Sequence, residues 1–111
     1  MATYEEVKEV PNHPEVYLID VRNKDEVTNT GSIPASIHIP LPELENVLTM
    51  SEGDFLTTFK RDKPSTDSVI IFSCMSGRRA QIATDLAHNH GFKKAKSYHG
   101  SWSDWASKLG L

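Results

Sequence analysis

The stretch VIIFSCMSGRRAQIA, residues 69–83, joins a strand-like run to a helix-like run and holds the only cysteine of the chain, Cys74. The continuous apolar and β-branched residues before the cysteine predict a strand that is covered on both faces. The residues after it predict a helix that Gly91 closes. The predicted apolar face of this helix comprises Ile82, Ala83, Leu86 and Ala87. A buried strand that turns into a helix is typical of a parallel sheet.

Three more segments predict strands. VYLIDV, residues 16–21, is as continuously apolar as the run before Cys74. SIHI, residues 36–39, is bounded by prolines, and KKAKSY, residues 93–98, follows the predicted helix. A helical pattern or a turn separates each of these segments from the next.

Capping residues and apolar spacing mark the intervening helices. Thr3 and Glu6 form a capping box, and Gly31 closes a helical turn after the first strand. Two further helices follow SIHI, the second capped by Ser51. Its expected apolar face is Phe55, Leu56 and Phe59, and the last helix carries Trp102 and Trp105 at i, i+3 spacing.

Strands therefore alternate with helices along the whole chain. This order predicts an α/β fold, a central, mostly parallel sheet of about four to five strands with helices on both faces. A chain of 111 residues has the length of one domain, and it shows no internal repeat. We expect a single domain, residues 1–111.

The composition excludes several partners. The net charge is −3 and 24% of the residues are charged, so no nucleic acid or membrane partner of the polybasic kind is expected. No run approaches the ~20 apolar residues of a membrane-spanning helix. One cysteine cannot close an intramolecular disulfide, and MATYEEVKEVPNHP has acidic residues where a signal peptide needs basic ones. We expect a soluble protein of a reducing compartment, most simply the cytoplasm.

The predicted loop after Cys74 favours a negative charge on sulfur. Ligands of such sheets bind beyond the carboxyl ends of the strands, and Cys74 stands at that point. A tight turn over residues 75–79 would gather backbone N–H groups at the positive end of a helix. Gly77 supplies the conformational freedom, while Arg78 and Arg79 add positive charge. Because cations oppose the helix dipole at this end, two arginines there indicate an anion site.

Three segments carry a family resemblance. CMSGRR matches the Cys-x-x-Gly-x-Arg active loop of rhodanese-like sulfurtransferases. LIDVRNKDEVTNTGSIPASIHIP resembles the upstream signature of that family, and YHGSWSDW resembles its closing segment. The similarity covers nearly the whole chain and is greatest to small single-domain thiosulfate:glutathione sulfurtransferases. One departure is Ser101, which stands where the family usually has a second glycine.

The resemblance implies a sulfurtransferase that works by double displacement. The Cys74 thiolate would take the outer sulfur of thiosulfate, release sulfite, and pass the sulfur from a persulfide to glutathione, another thiol or cyanide. A small anionic sulfur donor and a thiol acceptor, with a protein thiol as a further candidate acceptor, are the implied partners. No metal or organic cofactor is implied, and family members also occur in mitochondria. The implied substrate-binding residues are Met75, Ser76, Gly77, Arg78 and Arg79, with Arg79 at the family's loop-closing position.

Several alternatives stay open at this level. Cysteine phosphatases and arsenate reductases with a similar fold have five residues between Cys and Arg, whereas Cys74 and Arg79 enclose four. A phosphatase also needs a placed Asp or Glu as general acid, because its leaving group is a poorer anion than sulfite. A non-catalytic rhodanese-like interaction module and a persulfide carrier that serves a protein acceptor are the other readings.

The family pattern implies supporting roles for several further residues. Asp20 and Arg22 are expected to form an ion pair or hydrogen-bond bracket that holds the cysteine loop from the neighbouring strand, and Glu26 is expected to pack or pair. His38, His99 and Trp102 are candidates for the rim of the site. His88 and His90 lie at i, i+2 on the helix and so point apart, which argues against a metal pair.

Overall fold

Four parallel strands form one sheet, in a computed structural model that describes all 111 residues. The strands are β1 (Tyr17–Asp20), β2 (Ser36–His38), β3 (Ile70–Ser73) and β4 (Ala95–Ser97). Their order across the sheet is β2-β1-β3-β4, and all three pairings are parallel. The predicted parallel sheet is confirmed, with four strands.

Six α-helices and two short 3-10 turns connect and flank the strands. The helices are α1 (Tyr4–Lys8), α2 (Lys24–Thr30), α3 (Leu44–Thr49), α4 (Glu52–Phe59), α5 (Arg78–Asn89) and α6 (Ser101–Leu109). The Thr3 hydroxyl caps α1 by accepting from the backbone N–H of Glu6 at 3.1 Å. Gly31 closes α2 with a φ of 81°. No helix is long and apolar enough to cross a membrane.

The two faces of the sheet bury separate apolar cores. Ile19 and Phe72 point to one face, where they pack with residues of α3, α4 and α5. Leu18 and Ile71 point to the other face, where they pack with α1, α6 and both tryptophans. The central strands β1 and β3 therefore need apolar residues in succession rather than in alternation, which is the pattern that the sequence shows there.

Two predicted apolar positions are wrong. Ile82 of α5 is 47% exposed and Leu56 of α4 is 48% exposed. Helix α5 packs on the sheet through smaller side chains, namely Ala80, Ala83, Thr84 and Ala87. These positions follow i, i+3, i+4, i+7 spacing, so the buried stripe is rotated away from Ile82. Small residues on that stripe let the helix approach the strands closely.

The strand register brings the site residues to one edge. Asp20 lies opposite both His38 and Ser73, so β1, β2 and β3 end at the same level. Cys74 follows β3 directly, at the carboxyl edge of the sheet and before the first residue of α5. This is the place where ligands bind in open parallel sheets.

Candidate active site

The Cys74 sulfur lies at the bottom of the loop formed by residues 74–79. It accepts hydrogen bonds from the backbone N–H groups of Gly77, at 3.0 Å, and Ala80, at 3.3 Å. Cys74 is only 1% exposed, and none of the four surface cavities is lined by a residue of this loop. The arrangement is a close-fitting cradle for one sulfur atom and for a negative charge on it.

Two opposing effects set the acidity of this thiol. Burial by itself raises the pKa of Cys74, because a buried thiolate loses hydration. Hydrogen bonds from the Ala80 N–H, the Ser101 hydroxyl and the N–H groups of Gly77 and Ser76 together outweigh it. The pKa of Cys74 is therefore lowered from its ordinary value, as a nucleophilic thiolate requires.

Gly77 is held in a conformation that other residues avoid. Its φ is 110°, and a Cβ atom built there would lie 2.3 Å from the carbonyl oxygen of His99. The turn into α5 thus depends on glycine twice, for the backbone angle and for the close approach of the 98–100 segment.

Ser101 meets the cysteine from the start of α6. The backbone N–H of Cys74 donates to the Ser101 Oγ at 3.0 Å, and the same oxygen lies 3.7 Å from the Cys74 Sγ. The N–H of Trp102 donates to the Cys74 carbonyl oxygen at 3.0 Å. Residues 101 and 102 therefore bond directly to the cysteine, one to its backbone N–H and the other to its carbonyl oxygen.

Arg79 forms a two-bonded ion pair with Glu26 of α2. The Nη1–Oε1 distance is 2.5 Å and the Nη2–Oε2 distance is 2.9 Å. The hydrogen bond from Arg79 is the main reason that the pKa of Glu26 falls to about 2. The guanidinium at the loop-closing position is thus bound to a carboxylate, and it bridges α2 and α5.

Arg78 has a different environment. Its side chain is exposed at the N-terminus of α5 and takes part in no ion pair. Ser76, two residues before it, is exposed as well. An incoming anion therefore meets Arg78 as an unpaired cation.

Asp20 and Arg22 form a buried pair at the end of β1. The Nη2 of Arg22 lies 2.8 Å from the Asp20 Oδ2, and Arg22 also donates to the Thr30 hydroxyl and the Gly31 carbonyl oxygen. Its guanidinium lies 5.1 Å from the ring centre of Trp102. These contacts fasten the end of α2 and the start of α6, the two elements that reach the loop through Glu26 and Ser101. The pair thus contacts the neighbours of the cysteine loop.

The three residues expected at the rim of the site, His38, His99 and Trp102, lie in different environments. His38 Nε2 donates to the Arg22 carbonyl oxygen at 2.7 Å, which ties it to the buried pair. His99 is exposed, and its Nδ1 lies 3.3 Å from the position a Gly77 Cβ would take. Trp102 is 9% exposed and belongs to the apolar core between the sheet and helices α1 and α6. Of the three, only His99 lies at the surface beside the loop.

Sequence reasoning did not identify two contacts of the sulfur. Ala80 lies one residue beyond the predicted loop, and its N–H was not expected to reach back to Cys74. The Ser101 contact spans 27 positions in sequence, so no local pattern reports it. The departure from glycine at Ser101 was the one available signal.

Comparisons with known proteins identify the family of this chain. The sequence model of the rhodanese-like domain family matches residues 3–108 of this chain. A rhodanese domain-containing protein of Drosophila melanogaster is 52% identical over 111 residues, 100% of both chains. A thiosulfate:glutathione sulfurtransferase of Homo sapiens is 36% identical over 92 residues, 82% of this chain and 79% of that one. A mitochondrial thiosulfate sulfurtransferase of Saccharomyces cerevisiae is 34% identical over 110 residues, 97% of this chain and 73% of that one.

Solved structures give the same result. A human single-domain sulfurtransferase superposes with a TM-score of 0.88 at 30% identity, covering 97% of this chain and 96% of that chain. The family match over residues 3–108 includes all four strands and the cysteine loop. The chain belongs to the rhodanese-like domain family.

Proposed function

We propose that the protein, as one domain of residues 1–111, transfers sulfane sulfur from thiosulfate to a thiol through a persulfide on Cys74. The observation that carries this proposal is the pair of backbone N–H groups, from Gly77 and Ala80, directed at the Cys74 sulfur. Such fixed donors stabilise negative charge without having to reorganise during the reaction. The names of the human and yeast relatives support thiosulfate as donor, and that of the human relative supports glutathione as acceptor.

The first step is attack of the Cys74 thiolate on the outer sulfur of thiosulfate. The bond between that sulfur and the sulfonate group breaks, and sulfite leaves with the electron pair. One negative charge then remains on the outer sulfur of the persulfide. Because sulfite is a stable anion, the step needs no general acid.

The two arginines have separate roles in this proposal. Arg78, exposed and unpaired, attracts the dianionic donor and stabilises the departing sulfite. The pKa of Arg79 is raised mainly because its guanidinium donates hydrogen bonds to Glu26, and the charge of Cys74 contributes to the same shift. Met75, Ser76 and Gly77 complete the wall of the loop around the transferred sulfur.

A phosphatase activity is less well supported by the same residues. A phosphate ester needs a protonated carboxyl group near the leaving oxygen. Glu26 is bound to Arg79 and has a pKa of about 2, so it holds no proton at neutral pH. The Asp20 carboxylate is buried against Arg22.

The acceptor and the compartment complete the proposal. A thiol acceptor reacts with the outer sulfur, so a small thiol such as glutathione and an exposed protein thiol are chemically equivalent at this step. The cytoplasm is the proposed location, with mitochondria as the alternative that the yeast relative's name supports.

The mass of the intact protein tests the mechanism. Incubation with thiosulfate should add the mass of about one sulfur atom, and later addition of glutathione should remove it. Cys74→Ser, nearly isosteric, should fold normally and gain no mass. A retained gain in Cys74→Ser would contradict the mechanism. No gain in the wild type, together with turnover of an aryl phosphate, would identify a phosphatase instead.

A further inference from the structure

Ser101 occupies a backbone position that favours glycine. Its φ is 55°, in the left-handed region, and the residue is fully buried. Glycine adopts this backbone conformation without the steric cost that a side chain adds. A strained, buried serine at such a point suggests that the hydroxyl itself is used.

The hydroxyl has one proton and two acceptors within reach. It already accepts from the Cys74 N–H at 3.0 Å, so its orientation is fixed from one side. Its proton can go to the Tyr98 carbonyl oxygen at 2.8 Å or to the Cys74 sulfur at 3.7 Å. Since a hydroxyl donates a single hydrogen bond at a time, the better acceptor takes it.

We propose that Ser101 is a positioning residue whose hydroxyl proton turns from the Tyr98 carbonyl oxygen to the Cys74 sulfur whenever that sulfur carries the negative charge of the reaction. This inference rests on the proposed function and adds a residue to it. The thiolate of the free enzyme is the first such state. When the bond to the outer sulfur forms, the negative charge leaves the Cys74 sulfur. The Ser101 hydroxyl then donates its hydrogen bond to the Tyr98 carbonyl oxygen again.

The second half of the reaction uses the same movement. The acceptor thiol attacks the outer sulfur, the bond between the two persulfide sulfurs breaks, and its electron pair returns to Cys74. The proton of the acceptor thiol ends on the transferred sulfur, so the product is a persulfide of the acceptor. Ser101 therefore stabilises Cys74 both as nucleophile and as leaving group.

The other groups around the sulfur cannot follow the charge in this way. The N–H groups of Gly77 and Ala80 are fixed by the start of α5. Arg79 is held by its ion pair with Glu26, which is also the main reason that the pKa of Arg79 is raised. The negative charge of Asp20, at the end of β1, adds to that shift. His99 lies at the exposed side of Gly77. Burial raises the pKa of Cys74, and the Ser101 hydroxyl is among the groups that lower it.

The test compares Ser101→Ala with Ser101→Gly. Both remove the hydroxyl, but alanine keeps a side chain at the positive φ whereas glycine relieves that strain. Alkylation of Cys74 by iodoacetamide, followed across pH, should shift to higher pH in both variants. At mildly acidic pH both should react about three- to tenfold more slowly than wild type, the effect of one hydrogen bond.

A matched control and a second readout keep the inference separable from the proposed function. Ser103→Ala, at an exposed site on the same helix, should leave the pH profile unchanged. In wild type loaded with thiosulfate, single-turnover transfer to glutathione should be faster than in either Ser101 variant. If the wild type gains sulfur but Ser101→Gly matches it in profile and rate, the Ser101 inference alone is overturned. If the wild type gains no sulfur, the proposed function fails, while the alkylation profiles still report whether Ser101 stabilises the thiolate.

Discussion

Arg79 and Glu26 join the cysteine loop to α2 through two parallel hydrogen bonds, at 2.5 Å and 2.9 Å. The two residues are 53 positions apart in sequence, and both side chains are only partly exposed. A guanidinium held in this way by a carboxylate is fixed in direction as well as charge. Of the two loop arginines, Arg79 is therefore held in an ion pair, whereas Arg78 forms none.

Arg79→Ala and Arg78→Ala should have different effects. Loss of Arg79 leaves the Glu26 carboxylate without its partner, so we expect the free energy of unfolding to fall by about 1 kcal/mol, and sulfur transfer to slow. Loss of Arg78 should raise the KM for thiosulfate while leaving Tm unchanged. Steady-state kinetics and thermal denaturation measure the two effects. A raised KM with unchanged Tm in Arg79→Ala would instead assign thiosulfate binding to Arg79.

The Glu26 carboxyl group predicts an acid-dependent loss of stability. Its pKa is about 2 in the folded protein, against an ordinary value of 4.5, so folding favours the ionised form. The resulting stabilisation is complete above about pH 4.5 and is lost as the pH falls toward 2. Urea denaturation across this range should show that Glu26→Gln flattens the pH dependence.

Asp25 provides the control for that experiment. It is the exposed neighbour of Glu26 on α2 and forms no ion pair. Asp25→Asn should keep the wild-type slope of stability against pH between 4.5 and 2. Equal slopes in Glu26→Gln and wild type would show that another carboxyl group is responsible.

Gly77→Ala should be more damaging than Gly31→Ala. Both glycines have positive φ, 110° and 81°, so both alanines carry a backbone cost of about 1–3 kcal/mol. At Gly31 nothing lies within 4 Å of the added atom, whereas at Gly77 it meets the His99 carbonyl oxygen at 2.3 Å. We expect a further loss of about 1–3 kcal/mol and loss of sulfur transfer in Gly77→Ala. Similar stabilities of the two variants by urea denaturation would mean that the backbone of residues 98–100 can shift away from the added methyl group at little cost in free energy.

Ala35→Gly should stabilise the protein. Ala35 has a φ of 69° and is exposed, so its methyl group strains the backbone without filling the core. Relief of that strain should exceed the extra freedom that glycine gives the unfolded chain, for a net gain of about 0.5–1 kcal/mol. Chemical denaturation measures the change, and sulfur transfer should be unaffected. A lower stability would show that the turn tolerates alanine without strain.

Local patterns were sufficient for the strands and for most helix ends. Apolar runs predicted β1 and β3 because strands of a parallel sheet are covered on both faces, and these runs need no distant information. The Thr3 and Ser51 caps were predicted for the same reason, since the capping side chain bonds a backbone N–H three residues away. Ile82 was misplaced because the predicted stripe included this large apolar residue and left out Ala80 and Thr84, whose small side chains complete the buried stripe.

The sequence alone determined the fold class, the place of Cys74 between β3 and α5, and the positive loop that favours a thiolate, because each depends on residues close together along the chain. Only the tertiary structure decided which groups touch the sulfur and which arginine is free. Ser101 comes from 27 residues away and Glu26 reaches Arg79 across 53. Hydrogen bonds and ion pairs act over a few ångströms in space, and sequence patterns report only neighbours along the chain.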